Sequence, residues 1–363
     1  MASSKDIVEG FKSVLKTSKD APVLMEARDS RLFIGSYSDY HGILYECKTE
    51  LKDFKAVFSN SIAKEIPKFV VGDNIKLELV DDNRVVKLST SSSKVKLSLL
   101  EDKALTMAKL LNKYEKVFVW EVDGADFRES LEQVRHSAND KSIGDIVLRG
   151  FHLTKTGNRI EFMASNGASM SVSKFPVANL GMEVDKQLLL NSEFHQISQL
   201  LEGKTKISFN DDAISVESHI DDDRVIRAVS LLTKGKAFDY NKVLKLVAEN
   251  ESYVKLEAKQ LFETLRRINF FTDDSQKNKV SLNIKPEEVT LYSANHYGES
   301  SVKLEVVETN FDDEITLELS GVNLLSYLSN VKSDSISLFW KDDSSPIRLE
   351  DGIRVEVIVL FRK

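Results

Sequence analysis

The sequence predicts an α+β protein made of three consecutive repeats, each with two helices on antiparallel sheet. Three observations carry this. A charged helical octapeptide occurs three times, a second helix followed by a strand recurs three times, and the stretches between them read as short alternating strands. The 363 residues divide comfortably into three units of roughly 120, a common domain size.

The octapeptide is a basic residue, two free positions, an apolar residue, Glu, a free position, an apolar residue and a basic residue. Its copies are Lys5-x-x-Val8-Glu9-x-Phe11-Lys12, Arg128-x-x-Leu131-Glu132-x-Val134-Arg135 and Lys259-x-x-Phe262-Glu263-x-Leu265-Arg266. Apolar residues at helical spacing surround each copy: Ile7, Val8, Phe11, Val14 and Leu15; Phe127, Leu131 and Val134; Leu261, Phe262, Leu265 and Ile268. At about 100° per residue, positions i and i+7 share a face, so each helix shows two cations beside its apolar stripe.

The second helices are predicted over Ser59–Ile66, Asn191–Leu201 and Ser320–Val331, with Ser or Asn as N-cap. They precede Ile75-Lys76-Leu77, Ile207-Ser208-Phe209 and Ile336-Ser337-Leu338. Other strands are Leu32-Phe33-Ile34, Ile43-Leu44-Tyr45, Ile146-Val147-Leu148, Ile160-Glu161-Phe162, Val280-Ser281-Leu282 and Val289-Thr290-Leu291. Turn clusters such as Thr156-Gly157-Asn158 and Asp81-Asp82-Asn83 bound them. The repeats are expected at residues 1–117, 118–244 and 245–363.

Apolar residues make up 42% and charged residues 29%, with 15 Gly and 5 Pro, a globular composition. No apolar run approaches the roughly 18 residues of a membrane helix, and the start MASSKDIVEG has no apolar signal core. The expectation is a cytoplasmic protein without membrane contact. A single Cys47 excludes internal disulfides and cysteine-rich metal sites. The formal net charge is −7, but the three repeats carry +3, −4 and −6 in turn. An acidic average can hide a basic face. One such helix alone reads as a solvated face; the same cation pair in every unit of an acidic chain suggests a shared surface. If the repeats close a path, Lys5, Lys12, Lys16, Arg128, Arg135, Lys259 and Arg266 face duplex phosphates across a hole. Phosphate contacts position without reading sequence, and sparse ones hold weakly and salt-sensitively. No recognition helix or aromatic stacking platform is present.

Catalytic signals are missing. No Gly-rich phosphate loop occurs, and His41, His136, His152, His195, His219 and His296 do not form a metal-ligand spacing. His136 and His195, beside or within the predicted helices, read as solvated. Asp221-Asp222-Asp223 reads as an acidic turn rather than a cation site, and Cys47 has no clear catalytic partner. Neither catalytic residues, metal nor cofactor are expected, so the chain is not read as an enzyme.

At this point the sequence resembles the bacterial DNA polymerase III beta subunit, the sliding clamp or processivity factor. The likeness spans the chain and is clearest from about Ala125 onward. Phe162-Met163-Ala164-Ser165-Asn166-Gly167-Ala168-Ser169-Met170-Ser171-Val172 sits where the family has a strand, a Thr-Asp-Gly-His-Arg-Leu turn and a strand. Ala237-Phe238-Asp239-Tyr240-Asn241-Lys242-Val243-Leu244 resembles the family's link between its second and third domains. Ser344-Ser345-Pro346-Ile347-Arg348-Leu349-Glu350-Asp351 resembles its segment shortly before the C-terminus.

The resemblance implies three DNA-clamp domains per chain, a ring closed by a head-to-tail homodimer, and twelve helices lining the hole. It implies non-specific double-stranded DNA as one partner and an ATP-driven clamp loader as another. DNA polymerase and other replication proteins would dock short peptide motifs in a groove, conferring processivity on DNA replication. By position the groove uses Leu148, Ser165, Gly167, Met170, Phe238, Lys242, Val243, Ser345, Ile358, Val359, Leu360, Phe361 and Arg362. Val357 to Phe361 also reads as a buried terminal strand, and one strand can serve both purposes. The subunit contact, by position, sets Val95 and Leu97 against Phe270 and Phe271; the alternative is that one of the two Phe packs inward. Departures at Ala168, Ser169, Phe238 and Lys363 point to a divergent member, of phage or plasmid type, with its own peptide preference. The first domain matches least. The competing reading is a multi-domain repeat scaffold that binds partner peptides without encircling DNA.

Overall fold

The computed structural model describes residues 2–16, 20–38, 40–70, 74–81, 84–91, 93–100, 118–138, 148–177, 179–180, 187–235, 238–272, 278–352 and 354–361. Arg362, Lys363, Ala237, the strand residues Ile146 and Val147, and the turn residues Asp82 and Asn83 lie outside the described residues. In the first repeat the elements are β1 (Ala2–Ser3), α1 (Ser4–Leu15), β2 (Val23–Arg28), β3 (Arg31–Tyr37), β4 (His41–Lys48), β5 (Phe54–Phe58), α2 (Asn60–Phe69), β6 (Asn74–Val80), β7 (Val85–Ser89) and β8 (Lys94–Ser98). The second has β9 (Phe118–Asp123), α3 (Gly124–Arg135), β10 (Gly150–Thr156), β11 (Arg159–Ser165), β12 (Ser169–Pro176), β13 (Asn179–Leu180), β14 (Leu188–Asn191), α4 (Phe194–Ser198), β15 (Lys204–Phe209), β16 (Ala213–His219) and β17 (Val225–Leu231). A linking helix, α5 (Tyr240–Ala248), contains the expected boundary residue Leu244. After it come β18 (Ser252–Glu257), α6 (Ala258–Ile268), a 3-10 turn at Asn269–Phe271, β19 (Lys279–Ile284), β20 (Glu288–Asn295), β21 (Gly298–Glu305), β22 (Glu308–Thr309), β23 (Ile315–Ser320), α7 (Gly321–Leu328), β24 (Ser335–Trp340), β25 (Ile347–Glu350) and β26 (Arg354–Ile358).

Each octapeptide is helical, in α1, α3 and α6, because its apolar stripe has sheet to cover. Ile7, Phe11 and Val14, Phe127, Leu131 and Val134, and Leu261, Leu265 and Ile268 are buried, while Val8, Leu15 and Phe262 at the stripe margins are half-buried. Burial stabilises by roughly 1.5–3 kcal/mol for each such side chain. Two predicted caps are in place: Ser59 accepts from the Ile62 amide at 3.4 Å and Ser320 from the Asn323 amide at 3.3 Å. The middle repeat departs from the expected Asn191–Leu201 helix. Leu188-Leu189-Leu190 pairs along β10 instead, Asn191 ends that strand opposite Gly150, and α4 is only five residues long. A buried, paired leucine run outweighs a capping residue, and the N-cap position passes to Glu193, which makes no side-chain cap.

The chain forms two compact units, residues 1–128, 177–184 and 193–233, and residues 129–176, 185–192 and 234–363. The first holds a four-stranded sheet, β1-β6-β7-β8, and a nine-stranded sheet, β13-β9-β15-β16-β17-β4-β3-β2-β5. The second holds the nine-stranded sheet β14-β10-β11-β12-β26-β25-β24-β18-β22 and the four-stranded sheet β21-β20-β19-β23. Both long sheets cross a repeat boundary in the same way. The last strand of one repeat pairs antiparallel with the third strand after the first helix of the preceding repeat. Thus β17 pairs with β4, Arg227 opposite Leu44 and Ser230 opposite His41. Likewise β26 pairs with β12, Val355 opposite Val172 and Ile358 opposite Ser169.

Charges sit at the β4–β17 seam. The buried Glu46 carboxylate accepts from Arg31, with nitrogen and oxygen 2.7 Å apart, and contacts Arg227, which also donates to Glu217 at 2.8 Å. His41, buried on β4, places Nε2 3.2 Å from a Glu193 carboxylate oxygen. Burial lowers its pKa, opposed by the Glu193 carboxylate. Below the ordinary histidine value of about 6.5 the unfolded chain therefore takes up a proton that the folded chain resists, and stability falls as pH drops. Chemical denaturation from about pH 7.5 to about pH 5.5 should show a shallower decline for His41→Asn than for the parent; equal slopes would remove His41 as a cause.

Candidate nucleic-acid interface and peptide groove

Six of the seven predicted DNA-facing cations are exposed. On α1, Lys5 lies 3.9 Å from Glu9, a surface pair one turn on, and Lys12 and Lys16 follow toward the helix end. On α6, Lys259 and Arg266 are exposed, the guanidinium 5.8 Å from the Phe262 ring centre. On α3, Arg135 is exposed and 3.4 Å from Glu132. Arg128 is the exception. It is half-buried, donates to the Leu201 carbonyl at 3.4 Å and lies 3.8 Å from Glu202. The start of α3 is drawn onto that loop, since the Gly124 amide donates to the Gly203 carbonyl at 2.7 Å. The surviving surface cations hold only weak pairs, worth about 0–1 kcal/mol, and remain available to phosphate.

The predicted groove residues fall in the second unit. Met170 belongs to an apolar cluster with Met163, Val172, Tyr240, Val247 and Val357, against which Phe238 and Val243 pack. α5 supplies this cover because Asp239 caps it, accepting from the Lys242 amide at 3.2 Å, while Phe238 stands edge-on to Tyr240 with ring centres 4.8 Å apart. The Lys242 side chain is exposed at this edge. The β11–β12 hairpin carries three of the predicted groove residues, Ser165, Gly167 and Met170. Ser165 donates to the Ser169 carbonyl at 2.8 Å, and Asn166 accepts from the Ala168 and Ser169 amides. Gly167, with φ +85°, takes the left-handed conformation the turn requires, and a Cβ there would lie 3.8 Å from Leu148. The Val359 amide donates to the Ala168 carbonyl at 3.0 Å, fastening the C-terminal segment to the turn.

That segment alternates. Ile358 and Leu360 are buried in the core of the third repeat, whereas Val359 is 47% exposed. Phe361 is half-buried, with its amide bonded to the Glu318 carbonyl at 2.8 Å. Ser345 is held by the Asp342 carboxylate, which hydrogen bonds from the Ser344 and Ser345 amides and hydroxyls keep acidic, at about 2. Of the proposed contact residues elsewhere, Val95 is half-buried and Leu97 buried on β8, whereas Phe270 is 73% exposed and Phe271 half-buried. One of the two Phe thus turns partly inward.

A polar cluster that no local sequence signal predicts sits where β12 meets β26. Glu356, fully buried, accepts from Ser137 at 3.2 Å and from Ser171. His136 Nε2 lies 3.3 Å from Glu356 and 3.1 Å from Ser171. His136 was expected to be solvated, yet its side chain is only 10% exposed; it lies just past the end of α3 and turns onto β26. A serine, a histidine and a carboxylate invite comparison with a hydrolytic triad. The geometry rejects it, because one ring nitrogen faces both the hydroxyl and the carboxylate and Nδ1 has no hydrogen-bond partner among the described residues. Both serines are also sealed from substrate. The group satisfies a buried carboxylate at a sheet seam.

The other chemically suggestive residues are structural. Burial pushes the Cys47 thiol up to about 12, far from a reactive thiolate. Asp221 accepts from the Asp223 and Arg224 amides and pairs with Arg224 at 2.6 Å, and Asp223 pairs with Lys48. Among the described residues no group of three or more His, Cys, Asp or Glu could hold a metal ion, and no helix is long and apolar enough to cross a membrane.

No protein-family model matches the sequence, and no curated protein matches it. Solved structures do. A DNA polymerase sliding clamp from Pseudomonas aeruginosa, solved with a ligand, superposes with a TM-score of 0.87 at 14% identity, over 99% of this chain and 98% of that one. A DNA polymerase III subunit beta from the same organism gives 0.84 at 14%, covering 99% of each chain. The DNA polymerase III beta subunit of Thermotoga maritima gives 0.83 at 16%, over 100% of this chain and 98% of that one. Along its whole length, the chain has the fold of the bacterial DNA polymerase III beta subunit sliding clamps.

Proposed function

We propose that this protein is a DNA sliding clamp, a ring of two chains that encircles duplex DNA and tethers a replicative polymerase without chemistry of its own. The observation that carries the reading is the exposed cation pair on the first helix of the first and third repeats, with Arg135 in the second, within a fold shared with sliding clamps. Each chain contributes three clamp domains, residues 1–117, 118–244 and 245–363, and the first helices line the hole. Lys5, Lys12, Lys16, Arg135, Lys259 and Arg266 meet phosphates without reading bases. Arg128, engaged at Leu201 and Glu202, contributes mainly to the fold of its helix. The groove of Leu148, Ser165, Gly167, Met170, Phe238, Lys242 and Val243, with Ser345 and the outward Val359 at its edges, takes short apolar peptide motifs of the polymerase and other replication proteins. Ile358 and Leu360 support that groove from the core. Loading onto DNA in the cytoplasm falls to an ATP-driven loader from another gene. The departures at Ala168, Ser169 and Phe238 fit a clamp of phage or plasmid type.

Enclosure, unlike affinity, resists salt. Protein diluted to separate its chains and then reconcentrated with nicked circular DNA should stay on the circle through a wash at about 1 M salt, where surface charges are screened within roughly 3 Å. It should leave linear DNA of the same sequence. Lys12→Glu, Arg135→Glu and Arg266→Glu together should abolish low-salt binding to short duplexes while leaving peptide binding intact. Identical salt elution from circle and linear duplex would defeat the ring.

A further inference from the structure

The net charge of −7 is unevenly spread, and in the first repeat, which carries +3, part of the surplus gathers on one face of one sheet. Strand pairing fixes which residues share that face. Along β6-β7-β8 the directly opposed sets Leu77, Leu88 and Val95, and Leu79, Val86 and Leu97, make an apolar face. Its Val86, Leu88 and Leu97 are buried. The alternate sets make the other face: Lys76, Ser89 and Lys94; Glu78, Lys87 and Lys96; and Val80, Val85 and Ser98. That face carries four lysines and one carboxylate, a surplus of three positive charges. The lysines lie within two strand spacings, about 10 Å.

The carboxylate is already engaged. Glu78 lies 2.7 Å from Lys76 and 3.4 Å from Lys87, and hydrogen bonds from those two lysines hold its carboxyl below the usual range. Lys94 and Lys96 are exposed and have no ion-pair partner among the described residues. Lys96 also stands directly opposite Lys87, a like-charge pairing that costs the sheet stability. Lysines on the last strand of a sheet commonly guard it against aggregation, and β8 is such a strand. That accounts for Lys94 and Lys96. It does not account for Lys76 and Lys87, on the interior strands β6 and β7.

We infer that this lysine face docks single-stranded nucleic acid through its phosphates. The inference goes beyond the clamp reading, because the cations assigned to the hole lie on α1, α3 and α6 and none of these lysines is among them. It rests on that reading only for the source of the strand. No aromatic side chain belongs to the face, so bases have no platform to stack on, and the contact is sequence-blind and salt-sensitive. A flexible strand can lay successive phosphates over both lysine rows. A duplex, stiff over about 150 base pairs, meets such a patch along one line of its cylinder. Ser89 and Ser98 add hydroxyl donors on the same face. An acidic protein segment would also answer the charge, but DNA already threaded through the ring holds its own single-stranded continuation nearby at high effective concentration.

The full-length chain carrying Lys12→Glu, Arg135→Glu and Arg266→Glu isolates the face from the hole. By fluorescence anisotropy it should bind labelled oligo(dT) of about 12 nucleotides at about 50 mM salt. Affinity should fall about fifty-fold by about 200 mM, the salt dependence of four phosphate contacts on a single strand. Adding Lys76→Gln, Lys87→Gln, Lys94→Gln and Lys96→Gln should weaken binding at least about tenfold and flatten the salt slope by about 3. Arginine at the same four positions should preserve binding, which separates lost charge from lost fold. Undiminished binding by the glutamine variant overturns the assignment, as does a duplex of equal length bound as tightly. Polyglutamate that displaces the label at a lower charge concentration than unlabelled oligo(dT) would make the partner an acidic protein segment and overturn it too. Retention on nicked circles, measured on the chain with its hole cations intact, judges the clamp separately. A chain that holds circles but whose isolated face ignores the strand overturns the face alone, and one that binds the strand but slips from circles overturns the ring alone.

Discussion

Arg354→Met should destabilise the second unit by about 3–5 kcal/mol, the usual cost of breaking a buried charge pair from one side. The Arg354 side chain is fully buried and its guanidinium donates to the Asp351 carboxylate at 2.9 Å, the Tyr327 carbonyl at 3.1 Å and the Gln133 carbonyl at 3.4 Å. It also lies 4.1 Å from the Tyr327 ring centre. One residue at the head of β26 thereby ties α3 of the second repeat to α7 of the third. Methionine matches much of the volume, so little of the loss comes from a cavity. The loss comes from Asp351, a carboxylate 6% exposed and left without its cation, and from two abandoned carbonyls. Urea titration at neutral pH measures it. Arg354→Met with Asp351→Asn should recover more than half, because the stranded charge is gone. A single-variant loss below about 1 kcal/mol would mean that water reaches the site.

If the proposed two-chain ring forms through this contact, replacing Phe270 and Phe271 together by Asp should reduce it to a species of 41.0 kDa. Phe270 is 73% exposed and stacks edge-on with Phe271, their ring centres 5.2 Å apart. An isolated chain gains little from such a ring, which is the pattern of a contact residue. Central aromatic anchors are worth about 2 kcal/mol or more each on truncation, and the joint occurs twice in a ring, so dimer affinity should drop by about five orders of magnitude or more. Sedimentation over a wide concentration range reads this directly. Unchanged mass would place the joint elsewhere. Melting of the variant should change far less than its assembly, since Phe270 fills no core.

What the sequence made legible follows from locality. The octapeptides became helices because their apolar spacing and their charges agree, and Ser59 and Ser320 cap where capping chemistry expects them. Asn191 failed by the same local reasoning, since whether Leu188-Leu189-Leu190 is a strand depends on β10, far upstream. The groove was legible from the family likeness only as a set. That Ile358 and Leu360 face the core while Val359 faces out follows from the two-residue strand period, which could have been applied. The Glu356 cluster had no comparable signal. Its members, at 136, 137, 171 and 356, are individually ordinary and meet only when the β12–β26 seam forms. Arg128 likewise shares its octapeptide position with Lys5 and Lys259, and only the loop at Leu201 and Glu202 distinguishes it.

The shared sheets also impose a timetable on synthesis. β4 emerges from the ribosome at His41–Lys48, but its neighbour β17 begins at Val225, and β12 at Ser169 must wait for β26 at Arg354. At roughly 5–20 residues per second, each strand stands for about 10–40 s as a bare edge able to pair with another nascent chain. Charges guard both edges during that interval. β4 carries Glu46 and Lys48, and β12 carries Lys174, which is 3.2 Å from Glu161 on its own hairpin. When the late strands arrive, Arg227 closes on Glu46 and Asp223 on Lys48, so the first guard is consumed in forming the seam it protected.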